Sequence, residues 1–216
     1  MYPTAIFDLD GTLLDTLGDL QAAVNHGLAS QGLPSRGLAE VRAAVGNGVR
    51  RLVERSIPEG TPAPVLEAAF ADFRATYATH YAELTHPYPG MVDLVRSLGE
   101  QGVALAVVSN KSDDVVRELI DRYYPGLFSF VSGERAGVAR KPDPALVRLA
   151  VEALHGDPAN YVYVGDSEVD LATARAAGCP CIACSWGFRG RERLEELGAS
   201  PIVDAPRELE AAILAG

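Results

Sequence analysis

The chain is predicted to be α/β, with a parallel sheet between layers of helices and a small helical domain inserted after the first strand. Three observations carry that prediction. Short apolar runs at residues 5–7, 103–108, 128–131, 161–164 and 181–184 alternate with segments of helical spacing, the pattern of βαβ units. The block between Thr12 and His86 shows helical spacing and no strand signal. Each apolar run, where polar motifs follow it, carries them at the same end. A parallel sheet gathers those ends along one edge, where α/β proteins bind ligands.

The first run, Ala5-Ile6-Phe7, is bulky and unbroken, as expected of a strand covered on both faces. It stops at Asp8-Leu9-Asp10-Gly11-Thr12. Side chains two apart on a strand share a face, so Asp8 and Asp10 can point into one crevice. Helical patterns follow over 19–29, 38–45 and 49–57, and a long one over 64–84, broken by Gly32/Pro34, Gly46-Asn47-Gly48 and Pro58–Pro62. From Pro87-Tyr88-Pro89-Gly90 the alternation resumes. A helix over 91–101 leads to the run at 103–108, which ends in Ser109-Asn110-Lys111. A helix over 113–123, the run at 128–131 and a helix over 144–154 come next. The run at 161–164 then ends in Gly165-Asp166-Ser167. A helix over 169–177, the strand 181–184, a short helix and an edge strand at Ile202-Val203 complete the series. The domains expected are an α/β core from 1–14 and 86–216 and a helical insertion at 15–85.

The bulk numbers exclude some classes of function. Of 216 residues, 48% are hydrophobic and 22% charged, ordinary for a folded globular chain. A net charge of -10 argues against nucleic-acid or anionic-membrane partners held by electrostatics. No apolar stretch is long enough to span a bilayer, and Met1-Tyr2-Pro3-Thr4 has no basic leader region, so the expected location is cytoplasmic. Cys179, Cys181 and Cys184 have no fourth ligand nearby and are read as small residues of a core strand. Of 19 basic residues, all but Lys111 and Lys141 are arginine. Lysine persists beside two turn motifs, where a compact ammonium and a planar guanidinium are not interchangeable.

Asp8, Asp10, Asp166 and Asp170 would set four carboxylates in one crevice with one or two lysines. At about 4 Å and an effective dielectric of about 20, each like-charge pair costs about 4 kcal/mol. Such a cluster holds protons or binds a cation. Hard oxygen ligands favour Mg²⁺, which usually keeps a substrate phosphate in its shell. Carboxylates also act as nucleophiles toward phosphate.

Asp8-Leu9-Asp10-Gly11-Thr12, Ser109, Lys141 and Gly165-Asp166-Ser167 with Asp170 match, in order and spacing, the four signature motifs of haloacid-dehalogenase-like hydrolases. The chain resembles that superfamily along its whole length. Within it, Leu13-Leu14-Asp15-Thr16, Val45-Gly46-Asn47-Gly48, Ser109-Asn110-Lys111 and Ala177-Gly178-Cys179-Pro180 are most similar to phosphoglycolate phosphatases. Ser109 replaces the commoner threonine and keeps its hydroxyl. The resemblance implies a three-layer Rossmann-like core with a helical cap, and a Mg²⁺-dependent phosphatase working through an aspartyl-phosphate. Asp8 would be the nucleophile and Asp10 the general acid and base. Lys141 would neutralise Asp8 and the phosphoryl group. Asp8, the Asp10 carbonyl, Asp166 and Asp170 would serve the metal. Thr12, Ser109 and Asn110 would lie at the substrate phosphate, and Asn47 or Arg50 in the cap would grip a substrate carboxylate.

The substrate expected is a small phosphorylated metabolite, 2-phosphoglycolate first, in a monomer or homodimer. Two rivals are a phosphomutase of the same superfamily, resembling β-phosphoglucomutases, and a non-catalytic phospho-ligand module. The second rival usually loses an acid that this chain retains.

Overall fold

The computed structural model describes residues 1–46 and 48–216. The chain divides into two compact units, one of Met1–Leu14 with Pro87–Gly216 and the other of Asp15–His86.

The larger unit is built on one parallel sheet. Its strands are β1 (Thr4–Phe7), β4 (Ala104–Ser112), β5 (Phe130–Glu134), β6 (Val162–Gly165), β7 (Cys181–Cys184) and β8 (Ile202–Val203), in the order β5-β4-β1-β6-β7-β8. Every adjacent pair is parallel. The chain moves outward from β1 through β4 to β5, then returns to β6 on the other side. The order of strands therefore reverses between β1 and β6, and ligand crevices of doubly wound sheets open at such a point. Phe7 pairs with Val107 on one side and Val164 on the other.

Right-handed crossovers running in opposite directions from a central strand place their helices on opposite faces. Helices α7 (Ala145–Ala153) and α8 (Glu168–Ala177) share one core with the sheet, made by Ile6, Ala106, Val108, Leu146, Val147, Tyr163 and Ala174. On the other side α5 (Met91–Glu100) packs with α10 (Pro206–Ala215). Helix α6 (Asp113–Tyr123) lies along β4 and β5. Tyr124, which follows α6, is fully buried, and its hydroxyl donates to the Leu13 carbonyl (2.9 Å). A short α9 (Gly190–Glu196) joins β7 to β8.

In the smaller unit, α1 (Leu17–Ala29), α2 (Leu38–Ala44), α3 (Val49–Ser56) and α4 (Ala63–Tyr77) pack on one another. Leu17, Leu20, Val24 and Leu28 give α1 its buried stripe. Asp19 on α1 is buried, and it accepts the N–H groups of Leu84 (2.9 Å) and Thr85 (2.8 Å) and the Thr85 hydroxyl (2.6 Å). That carboxylate holds the two ends of the unit together.

The sheet and its helices agree with the sequence in type and order, and four details differ. The last helix of the smaller unit stops at Tyr77, well short of 84; beyond it the Thr79 and His80 side chains bond the Thr76 carbonyl, and the Leu84 and Thr85 N–H groups go to Asp19. The second strand of the core runs past the polar motif to Ser112, through a register shift between Val108 and Ser112. Two-residue strands, β2 (Leu14–Asp15) and β3 (His86–Pro87), form a small sheet of their own where the sequence showed no strand signal. The C-terminal helix α10 was not anticipated, although Pro206 at its start and buried Leu209 and Ile213 at i, i+4 are helix signals.

Candidate active site

The site lies in the larger unit, where β1 and β6 end. The Asp8 N–H donates to the Val164 carbonyl (2.9 Å), so the ladder carries Asp8 one residue beyond β1. Asp166 directly follows β6, and Asp170 lies in the first turn of α8. Carboxylate oxygens of Asp8, Asp166 and Asp170 all lie within 4.8 Å of one another, and all three residues are buried.

One cation faces this cluster from the loop before α7. Lys141 Nζ donates to Asp8 Oδ1 (2.7 Å), Asp170 Oδ1 (3.0 Å) and the Tyr163 hydroxyl (2.9 Å), with its side chain only 3% exposed. Tyr163 Oη donates to the same Asp170 oxygen (3.1 Å). The other Asp170 oxygen accepts the N–H groups of Asp166 and Ser167 and the Ser167 hydroxyl (2.6 Å). Five donors fill the lone pairs of one carboxylate, which has about four acceptor sites. Asp170 is therefore an anchor for Lys141 and for the Gly165-Asp166-Ser167 turn.

Asp166 is held differently. Its Oδ1 accepts from the Thr12 hydroxyl (3.2 Å) and its Oδ2 from the Phe188 N–H (2.7 Å). Two glycines press on it. A Cβ on Gly187 would lie 2.3 Å from Asp166 Cβ, and one on Gly11, which has φ +88°, would lie 2.5 Å from Asp166 Oδ2. The Trp186 indole donates to the Thr12 carbonyl (3.1 Å), tying the loop after β7 to the turn after β1.

The electrostatics follow from this crowding. Burial first, then the Asp170 charge, raises Asp8 to about 7 against the opposing pull of Lys141. Burial, Asp170 and Asp8 hold Asp166 well above the ordinary carboxylate range. Burial alone would lower Lys141, but Asp170 and Asp8 outweigh it and keep the ammonium charged. Buried carboxylates that repel one another, with one lysine between them, are a donor set suited to a hard divalent cation.

The remaining sequence candidates fall in two places. Asp10 lies beside this cluster with Oδ1 bonded by Lys111 Nζ (2.9 Å). Ser109 is buried, and its Oγ accepts the Lys111 N–H (3.2 Å). Asn110 donates to the Lys141 carbonyl (2.9 Å), while its Oδ1 is buried with no partner among the described residues. Arg50 belongs to the helical unit, where it pairs with Glu54 (3.1 Å) and Glu67 and lies 5.3 Å above the Phe70 ring. Asn47 lies outside the described residues. Sequence reasoning missed Tyr163, Gly187 and the Phe188 N–H. A buried tyrosine on a core strand is ordinary, and a backbone donor leaves no residue signal.

The sequence matches the haloacid dehalogenase-like hydrolase family over residues 5–184. The chain belongs to that family. It is 37% identical over 210 residues to phosphoglycolate phosphatase 1 of Pseudomonas aeruginosa, covering 94% of this chain and 77% of that protein. It is 38% identical to the phosphoglycolate phosphatase of Caulobacter vibrioides over 93% and 86% of the two chains. A crystal structure from Lactobacillus delbrueckii subsp. bulgaricus, provisionally assigned as a phosphoglycolate phosphatase, superposes with a TM-score of 0.92 at 35% identity and 98% coverage of both chains. As a haloacid dehalogenase-like hydrolase with these relatives, the chain is a phosphoric monoester hydrolase.

Proposed function

We propose that this phosphatase hydrolyses 2-phosphoglycolate to glycolate and phosphate through an aspartyl-phosphate on Asp8, with Mg²⁺ as the divalent cation. The observation that carries the reading is the buried cluster of Asp8, Asp166 and Asp170 around Lys141 at the β1/β6 switch point. The similarity to phosphoglycolate phosphatases over most of the chain supports the substrate.

In this reading Asp8 Oδ attacks phosphorus, forming the new P–O bond as the ester P–O bond breaks. Asp10 gives its proton to the departing alkoxide, then takes one from the water that cleaves the aspartyl-phosphate. Lys141 stays protonated and faces the phosphoryl group as charge shifts onto it. Ser109 Oγ and the Asn110 side chain would meet phosphate oxygens. Asp8, the Asp10 carbonyl and Asp166 would hold Mg²⁺, with Asp170 fixing the turn that aims Asp166. When bound, the ion supplies charge neutralisation that lets a carboxylate approach a phosphate dianion.

The helical unit at residues 15–85 serves as the family's cap and excludes water during transfer. Asn47 and Arg50 are its candidate donors to the substrate carboxylate, and Arg50 would have to leave Glu67 to take that role. The test is phosphate release from a panel of phosphomonoesters. The expected result is the highest kcat/KM on 2-phosphoglycolate, loss of activity with chelator, recovery with Mg²⁺, and a folded but inactive Asp8→Asn protein. Turnover by Asp8→Asn near the wild-type rate would overturn the mechanism, and a different preferred ester would overturn the substrate.

A further inference from the structure

We propose that Lys111 is a positioning residue for Asp10, fixing its carboxyl group in the orientation in which it transfers a proton. This rests on the reading of Asp10 as the general acid and base. Lys111 Nζ lies 2.9 Å from Asp10 Oδ1, and the lysine side chain is 6% exposed where Asp10 is 22% exposed. A carboxyl bonded at one oxygen loses most of its freedom to swing. The bond also survives the proton cycle, because a protonated carboxyl keeps an acceptor oxygen.

The backbone of Lys111 is itself held from three directions. Ser109 Oγ accepts its N–H. Asn110, next in the chain, is tied to the Lys141 carbonyl. Gly133 of β5 packs so closely that a Cβ there would lie 2.3 Å from the Lys111 carbonyl oxygen and 2.7 Å from Asp113 N. Gly133 is fixed in turn by its N–H bond to Asp113 Oδ1 (2.8 Å). An exposed lysine at a helix start has no need of such bracing. Ordering a lysine side chain costs up to about 2 kcal/mol of rotamer entropy. Lys141 already neutralises Asp8 and Asp170, so the second lysine is left to act on Asp10. Arginine, which this chain uses almost everywhere else, would present a broad planar fork in place of a point donor.

Leaving-group dependence tests the proposal. An alkyl phosphate such as 2-phosphoglycolate needs a proton on its leaving oxygen, whereas p-nitrophenyl phosphate does not. The readout is kcat/KM, which reports phosphoryl transfer to Asp8. Lys111→Met is expected to lower it by about 10- to 100-fold on the alkyl ester, part of the ~10²–10⁴ that a general acid supplies, and by less than about threefold on the aryl ester. In an Asp10→Asn background, Lys111→Met should add almost nothing.

Equal losses on both esters, no loss on either, or full additivity with Asp10→Asn would overturn the proposal. If Lys111→Met does not melt cooperatively, Lys111→Gln is measured in its place under the same criteria. Asp10→Asn alone separates the two readings. If it slows both esters equally, Asp10 is not the acid and both readings fall. If it discriminates between them and Lys111→Met does not, only the role of Lys111 falls.

Discussion

Among the described residues, Lys141 is the one cation that touches both Asp8 and Asp170 at hydrogen-bond distance, so its removal has a cost apart from chemistry. Lys141→Met would leave two buried carboxylates facing each other without a counter-charge. Breaking one side of a buried ion pair costs about 3–5 kcal/mol. In metal-free protein at neutral pH, Lys141→Met should therefore melt well below wild type, and lowering the pH should narrow the gap as the acids take up protons. A gap that stays constant with pH would show that the loss is one of packing. At this scale the sequence was legible wherever chemistry depends on residue type. Asp8, Asp166, Asp170 and Lys141 meet in space because each lies at or beyond the same end of the parallel strands. Lys111 stood out by composition, but only the bulge in β4 shows that it turns inward to Asp10. The Phe188 N–H left no trace, since any residue supplies the same donor.

At the scale of elements, the loop after β7 is the least expected part of the site. Gly187 lets the chain pass against Asp166, so the Cβ of Gly187→Ala would collide with the carboxylate and with the Gly11 carbonyl oxygen, 2.4 Å away. With Asp166 as a metal ligand, as proposed, Gly187→Ala should weaken divalent-cation affinity by at least about tenfold, the lower end of what a ligand loses when its support is removed. Calorimetric titration of Mg²⁺ is the direct measurement. In the helical unit, Asp19→Ala removes the acceptor of the buried Thr85 N–H and of the half-buried Leu84 N–H, while the Thr85 hydroxyl keeps the Tyr81 carbonyl (3.1 Å). An orphaned buried donor costs about 1–3 kcal/mol, so a drop of that order in chemical denaturation is expected, with hydrogen exchange rising first at residues 84–85. This clamp fixes the chain at 84–85, where periodicity had placed the end of α4. Apolar spacing continues past Tyr77, but the backbone donors at 84–85 have a better partner in a distant side chain. Strands β2 and β3, two residues each, are too short for any periodic signal.

At the scale of the whole molecule, the acid cluster links stability, pH and metal. Asp8 titrates at about 7 in the fold against an ordinary 3.8, and Asp166 shifts the same way. The groups facing them are Asp170, Asp10, Lys141 and Arg189. The folded state keeps protons that the unfolded chain has released, so this contribution is fully present below about pH 4 and is lost as pH rises through about 7. The Tm of metal-free protein should accordingly fall between about pH 5 and pH 8, and Mg²⁺ should raise it more at pH 8, where it no longer competes with protons. At a hundredfold excess over Kd the ion adds about 2.7 kcal/mol. A Tm gain independent of pH would place the ion away from Asp8 and Asp166. In the sequence, the change from an apolar run to continuous helical spacing after Thr12, and back to alternation from Pro87, is abrupt and therefore legible.

The central place of β1 also bears on how the protein is made. Strand β1 precedes both of its neighbours by a long stretch of chain, since they lie at Ala104–Val107 and Val162–Val164. At about 5–20 residues per second, Thr4–Phe7 waits on the order of ten seconds with both edges unpaired. Translation thus sets a fixed order of events, with β1 made before the helical insertion and its two neighbours only after it. A chain released before β6 emerges would carry an apolar strand with one edge open to any other strand it met.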